Sequence, residues 1–385
     1  MKEELNELLR LADAIGQNAQ LVQAGYGNAS VKCTGRKVLI TKAREYALKQ
    51  MDKHNGWVAL SIDQAMDVYN RNDIRALPRS RREKAVMDLL DNSVLELSRG
   101  HPAMELPMHL LLDRIAVYTN PIPVITASCH PDGKKIIDEL NHRENQKPVL
   151  WVPYAAPGTP LIYLFEEHIH DYLQNHGFAP SVIIVQHHGL FCTGSDVDEC
   201  LGVLNRFVES LSEYFGPVHP VDRQPPVDEE SRRIVSSAIR KASYRTHTGP
   251  FLVRFSEEPE LLYAPRNKSQ QVFASALSPA HIIHNGPGAV FIGRDDGEEK
   301  ITGELINFHQ QYGMFPRVII LEGKGVCIVG YTAHELDLGE QLALAAVQAV
   351  LLAKIPLEGI DPREVEYIIN WQSEQHRTHQ MAAQG

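Results

Sequence analysis

At 385 residues the chain exceeds what one compact core usually fills, so two domains or a duplicated one are expected. A composition of 43% hydrophobic and 22% charged residues is that of a globular protein, and no apolar run approaches the roughly 18 residues of a membrane span. A net charge of -10 argues against a nucleic-acid partner, and five scattered cysteines without CxxC spacing fit a reducing cytoplasm better than a disulfide framework.

The N-terminal MKEELNELLRLADAIGQ places Leu5, Leu8, Leu9, Ala12 and Ile15 at helical spacing, with acids where a leader would be basic; it predicts a surface helix. GYGNAS at 25 to 30 offers two glycines and an asparagine before a strand, either a plain turn or a set of backbone N–H groups open to an anion. KVLIT at 37 to 41 predicts a strand, and RSRREK at 79 to 84 a solvated helix start or loop. In AMELPMHL at 103 to 110, Glu105 and His109 stand four apart, as a functional pair or as a helix N-terminus with its acid at the positive dipole end.

PVIT at 123 to 126 predicts a strand ending in A-S-C-H-P-D-G. Residues two apart on a strand share a face, so Ser128 would point the same way as His130, and Cys129 away. VLWVPY at 149 to 154 and SVIIVQ at 181 to 186 are further strands, the second running into His187-His188-Gly189. Strands alternating with helical stretches give an α/β class. The proline-rich GPVHPVDRQPPVDEE, 216 to 230, is the expected linker, dividing the chain into 1–220 and 221–385.

An internal repeat joins the halves. PSVIIVQHHGLFCTGSDVDE from Pro180 aligns without gaps on PRVIILEGKGVCIVGYTAHE from Pro316 as strand, turn, strand and helix. Asp196-x-x-Glu199 and Thr332-x-x-Glu335 both predict a capping box. A weaker pair sets 27 to 41 against 249 to 263. At the aligned turn the second copy has Gly323-Lys324-Gly325, so the fold does not require the histidines.

The order Gly27-Asn28-Ala29-Ser30, Ile40-Thr41, Glu105 to His109, Ser128-Cys129-His130-Pro131 and His188-Gly189-Leu190 with Gly194 resembles the class II aldolase/adducin family. Its motifs are G-N-x-S, E-x-x-M/L-H, a strand-end H-x-H-P, and H-G. VLWVPYAAPGTPL at 149 to 161, the second-half repeat and the tail EVEYIINWQSEQ resemble the aldolase half of bifunctional rhamnulose-phosphate aldolase/dehydrogenase proteins. No G-x-G-x-x-G follows a strand, so the dehydrogenase half is expected to be absent.

The resemblance implies a three-layer α/β/α aldolase-like domain followed by a degenerate second copy. It implies a divalent metal, zinc in the family, held by histidines at the positions of His130 and His188, where it stabilises an enediolate. Glu105 would be the proton-shuttling carboxylate; Gly27, Asn28, Thr41 and Lys42 would line the substrate site. The expected activity is aldol cleavage or formation in a sugar phosphate or sugar acid, in a cytoplasmic homo-oligomer, dimer or tetramer, without membrane or nucleic-acid partners. Alternatives are an epimerase or decarboxylase using the same site, or a non-catalytic adducin-like scaffold.

Three departures weaken the expectation. Ser128 stands at the first histidine of H-x-H, and a neutral hydroxyl is a poor zinc ligand. Ala103 and Met104 replace serines that hold phosphate in the aldolases. Lys42-Ala43-Arg44 replaces small residues, either as an anion-binding loop or as an exposed basic one.

Overall fold

The computed structural model describes residues 1–96, 98, 100–144, 147–218, 220–266, 272–273 and 276–369. Internal contacts divide the chain into two units, Met1–Ser128 with Asp132–Tyr214, and Cys129–Pro131 with Phe215–Gly385. The tail beyond residue 369, including the end of EVEYIINWQSEQ, lies outside the described residues.

In the first unit, β1 (Asn28–Lys32), β2 (Val38–Lys42), β3 (Trp57–Ser61), β4 (Ile115–Thr119), β5 (Leu150–Val152), β6 (Val182–Val185) and β7 (Gly189–Gly194) form a single sheet. Its order is β3-β2-β1-β4-β7-β6-β5, antiparallel except for the β5–β6 pair. The helices are α1 (Lys2–Gly16), the single turns α2 (Ile62–Ala65), α3 (Asp67–Asn70) and α4 (Asn72–Arg75), then α5 (Arg79–Asn92), α6 (Leu106–Leu110), α7 (Ile122–Cys129), α8 (Gly133–Glu144), α9 (Thr159–His176) and α10 (Val197–Phe215).

Strand alternation puts helices on both faces of this sheet. Phe191 of β7 packs among Leu161, Phe165 and Ile169 of α9, whose apolar residues recur every four positions. Its neighbour Cys192 faces the other way, beneath α10, where the Cys200 thiol lies 3.4 Å from the Cys192 carbonyl. Helix α9 ends where Gly177 turns left-handed at φ 72°, and α1 buries Leu8, Ala12 and Ile15 as its spacing predicts, with Leu11 beside them while Leu5 and Leu9 stay half-buried.

The second unit contains α11 (Glu229–Arg245), β8 (Leu252–Phe255), α12 (Pro259–Tyr263), α13 (Pro279–Asn285), β9 (Val290–Ile292), α14 (Glu298–Tyr312), β10 (Val318–Leu321), β11 (Gly325–Gly330), α15 (Ala333–Ala353) and α16 (Pro362–Ile369). Its sheet runs β8-β11-β10-β9, with β9 and β10 parallel. Cys327, at the position of Phe191, joins a core with Ile301, Leu305 and Phe308 of α14.

The expected duplication extends to register. Val182↔Cys192 through Val185↔Gly189 in the first hairpin matches Val318↔Ile328 through Leu321↔Gly325 in the second. The α9 and α14 helices end on equivalent left-handed glycines, Gly177 and Gly313. The capping expectation holds in part. Asp196 and Thr332 accept from the N–H of Glu199 and Glu335, but each glutamate reaches back one residue further than a capping box, to the N–H of Ser195 and Tyr331.

Four sequence expectations are corrected. PVIT is not a strand: residues 122–129 form α7, with Pro123 in its first turn, where a missing N–H costs nothing. The weaker repeat pair also fails, because 259–263 is helix where KVLIT is strand. By register, Leu252–Phe255 pairs with Gly330–Cys327 as Ile115–Tyr118 pairs with Gly194–Phe191, so β8 occupies the place of β4. Among the described residues the second sheet ends there, without a counterpart of β1–β3.

The last two corrections concern α15 and Lys42. Against the expectation that no apolar run approaches a span, α15 is long and apolar enough to cross a membrane by length and composition alone; 56% of its most apolar stretch is buried in the structure. Lys42 is not in an exposed loop. It ends β2, is 4% exposed, and donates from Nζ to the Tyr46 carbonyl at 2.8 Å.

Candidate functional site

The first unit draws Glu105 and His188 to one small cavity of about 30 Å³, walled by Met104, Met108, Tyr118 and Phe191. Glu105 is the N-cap residue of α6, and His188 stands in the turn between β6 and β7. Opposite them, the Pro157-Gly158 wall is fixed by α5. Glu83 accepts from the N–H and hydroxyl of Thr159 at 2.9 and 2.8 Å, and Arg82 donates to the same hydroxyl at 3.0 Å. Gly158 has φ 91°, and a Cβ there would fall 2.6 Å from the Glu83 carboxylate, so only glycine fits.

His188 is held as a neutral imidazole. Its Nε2 donates to the Ala155 carbonyl at 2.7 Å and its ring stacks on Tyr154, while burial pushes its pKa down to about 4. The preceding residue, His187, takes the left-handed conformation at φ 62°, where the second copy uses Gly323 at φ 69°. His109 is fully buried on α6, its Nδ1 2.8 Å from the Ser30 hydroxyl and its Nε2 without a hydrogen-bond partner. Burial, with Lys32 and Lys42 nearby, pushes its pKa down to about 3.

The residues expected at the substrate are committed to the framework. Thr41 Oγ1 lies 3.1 Å from Asn28 Oδ1 and 2.9 Å from the Ala29 carbonyl, and both side chains are buried. Gly27 is a packing glycine, since a Cβ would come within 3.1 Å of Leu48 and 3.2 Å of Val22. Ser128 does not share a strand face with His130, because both lie beyond or within a helix. The Ser128 hydroxyl is 3.2 Å from the Ile125 carbonyl one turn earlier. His130 falls in the short stretch that clusters with the second unit, beside the Phe215 ring. There the Cys129 carbonyl accepts from Glu358 N–H at 2.8 Å and its thiol reaches the Leu277 carbonyl.

The strand end that borders the His188 turn is that of β4, and it was missed in the sequence. Tyr118-Thr119-Asn120-Pro121 has the spacing of H-x-H-P. Tyr118 donates its hydroxyl to the His188 carbonyl at 2.7 Å, and Asn120 accepts from the Gln23 N–H at 3.1 Å. The signal is in IAVYTNP, a β-branched run followed by proline, whose Asn120-Pro121 lies ten residues before His130-Pro131.

Residues 6–215 match the family described as Class II Aldolase and Adducin N-terminal domain. The chain belongs to that family. Among solved structures, the chain is similar to the N-terminal class II aldolase domain of a conserved protein from Thermoplasma acidophilum, at 20% identity and a TM-score of 0.45, covering 55% of this chain and 94% of that one. A sugar-phosphate aldolase from Thermotoga maritima matches at 15% identity and TM-score 0.40, over 57% of this chain and 98% of that one. An L-fuculose 1-phosphate aldolase matches at 12% identity and TM-score 0.38, over 60% and 93%. A comparison with curated proteins returned no match.

The donor set of this class II aldolase/adducin member does not fit the divalent metal that the resemblance implies. His188 spends its Nε2 on a carbonyl, and the β4 end beside it presents a tyrosine and an asparagine, each holding a backbone group. Among the described residues no three His, Cys, Asp or Glu side chains come close enough to hold a metal ion.

Proposed function

We propose that the first unit is a metal-free binding module that keeps the class II aldolase/adducin fold without its lyase chemistry. The observation that supports this most is the β4 end beside His188, where Tyr118 and Asn120 stand at the spacing of two imidazoles and each holds a backbone group. A phenol and a carboxamide are weak ligands for zinc, which prefers imidazole, thiolate and carboxylate. The cavity of about 30 Å³ holds a single water rather than a sugar. Glu105 and His188 then give that pocket its polar character, and the expected roles of His130 as a ligand and Ser128 as an altered one fall away.

Metal analysis of protein purified without chelator, with melting curves in the presence and absence of zinc, tests this reading. The expected result is no stoichiometric metal and no zinc-dependent rise in Tm. One metal per chain, or a zinc-dependent rise lost in His188→Ala, overturns it. The lyase reading, with a sugar phosphate or sugar acid as substrate, draws on Glu105 and His188 facing one cavity. NMR analysis of a panel of ketose phosphates separates the two: aldehyde product favours the lyase, and unchanged substrate the binding module.

A further inference from the structure

We infer that the second unit carries a binding site for a small hydroxylated oxyanion at the place where the first unit carries His188. By register Lys324 is the counterpart of His188, and it opens on a cavity of about 230 Å³ against about 30 Å³ in the first unit. The cavity lies beyond the carboxyl ends of β9 and β10, a parallel pair, and crevices at that end of a parallel pair are where α/β sheets bind ligands.

Its floor is polar and ordered. The Ser231 hydroxyl, 7% exposed as a residue, receives a hydrogen bond from Lys324 Nζ at 2.7 Å and donates to Asp228 at 2.8 Å. Asp228 is further occupied as the cap of α11, accepting from Ser231 N–H at 2.9 Å. Asp296 accepts from Gly293 N–H at 2.8 Å and pairs with Lys300 at 2.6 Å. Asp296 is thus balanced by Lys300, and Asp228 lies 3.8 Å from Lys324 Nζ, so Lys324 is shared between Asp228 and the cavity, which Glu230, Asp295 and Glu322 also line.

Arg294 is different. It is exposed at the cavity and has no hydrogen-bond or ion-pair partner among the described residues. Its guanidinium lies over Gly323, where a Cβ would come within 3.0 Å of Nε, so the glycine serves both the left-handed turn and the placement of the arginine. A planar guanidinium and an ammonium lining one cavity are the groups that receive a carboxylate or phosphate. The exposed carboxylates of Asp295 and Glu322 at the rim accept from the ligand's hydroxyls.

This inference does not depend on the reading of the first unit. Calorimetric titration of the full chain with glycerol 3-phosphate, with D-glycerate and with glycerol tests it. At least one oxyanion is expected to bind, glycerol is not, and Arg294→Gln and Lys324→Gln are each expected to weaken binding tenfold or more, with folding checked by melting curves. Preference between the two oxyanions identifies the anionic group as phosphate ester or carboxylate. No binding by either oxyanion, equal binding of glycerol, or wild-type affinity in both variants overturns the proposal.

Discussion

The turn after β6 and the turn after β10 share strand register, hydrogen bonds and a left-handed second residue, yet they carry different chemistry. Gln186 and Glu322 donate their N–H groups to Val152 and Ile292, and His188 and Lys324 donate theirs to Val185 and Leu321, so the two backbones are interchangeable. The side chains are not. One turn places a neutral imidazole against a carbonyl in a nearly filled site, and the other an ammonium at an open one, beneath the Arg294 guanidinium from the loop after β9. A backbone scaffold held constant by its ladder can therefore be loaded with unrelated groups, and function must be argued from each site separately.

The largest effect that would break this comparison is in the paired cores. Phe191→Ala should destabilise the first unit by about 3–5 kcal/mol, because it opens a cavity between β7 and α9, while Cys327→Ala at the matched position should cost about 1 kcal/mol. Denaturant titration of both variants measures the asymmetry; equal losses would contradict it. Acid should come next. His109, His188 and His281 are buried with pKa values pushed down to about 3, 4 and 4, below the ordinary 6.5.

The unfolded chain therefore binds protons that the folded chain refuses, and stability falls as pH drops from 6.5 towards 4. Each histidine contributes a slope of up to about 1.4 kcal/mol per pH unit in that window. Two of the three lie in the first unit, so its unfolding, followed by the Trp57 and Trp151 fluorescence, should show the steeper dependence. A profile flat between pH 6.5 and 4 would refute the buried neutral histidines. The smallest expected effect is at the caps: Asp196→Ala and Thr332→Ala should each cost about 0.5–2 kcal/mol by thermal melting, and by similar amounts, since both serve the same N–H.

The repeat was legible because its signals are local: a β-branched strand, a glycine turn and a cap recur at fixed spacing. The exact match of the two ladders follows from the same residues. The place of the candidate site was harder to read. PIPVIT has strand composition, but Ile122–Cys129 is α7, with Pro123 in its first turn, so His130 follows a helix and not a strand end. What the sequence pattern cannot carry is which strand end borders the His188 turn. That depends on β4 pairing with β7 across some seventy residues of chain, and it is why Tyr118 and Asn120 went unnoticed beside a more conspicuous histidine. Lys42 failed for a related reason: its charge suggested solvent, whereas the Tyr46 and Ala43 carbonyls solvate the ammonium inside the fold.

The three residues Cys129–Pro131 also bear on how the molecule can be taken apart. The chain leaves the first unit after Ser128, contributes these residues to the second, and returns at Asp132 long before the linker. A protease cut within the linker would therefore not yield two self-sufficient fragments. The N-terminal piece would keep a carbonyl and a thiol whose partners, Glu358 and Leu277, had gone with the other piece.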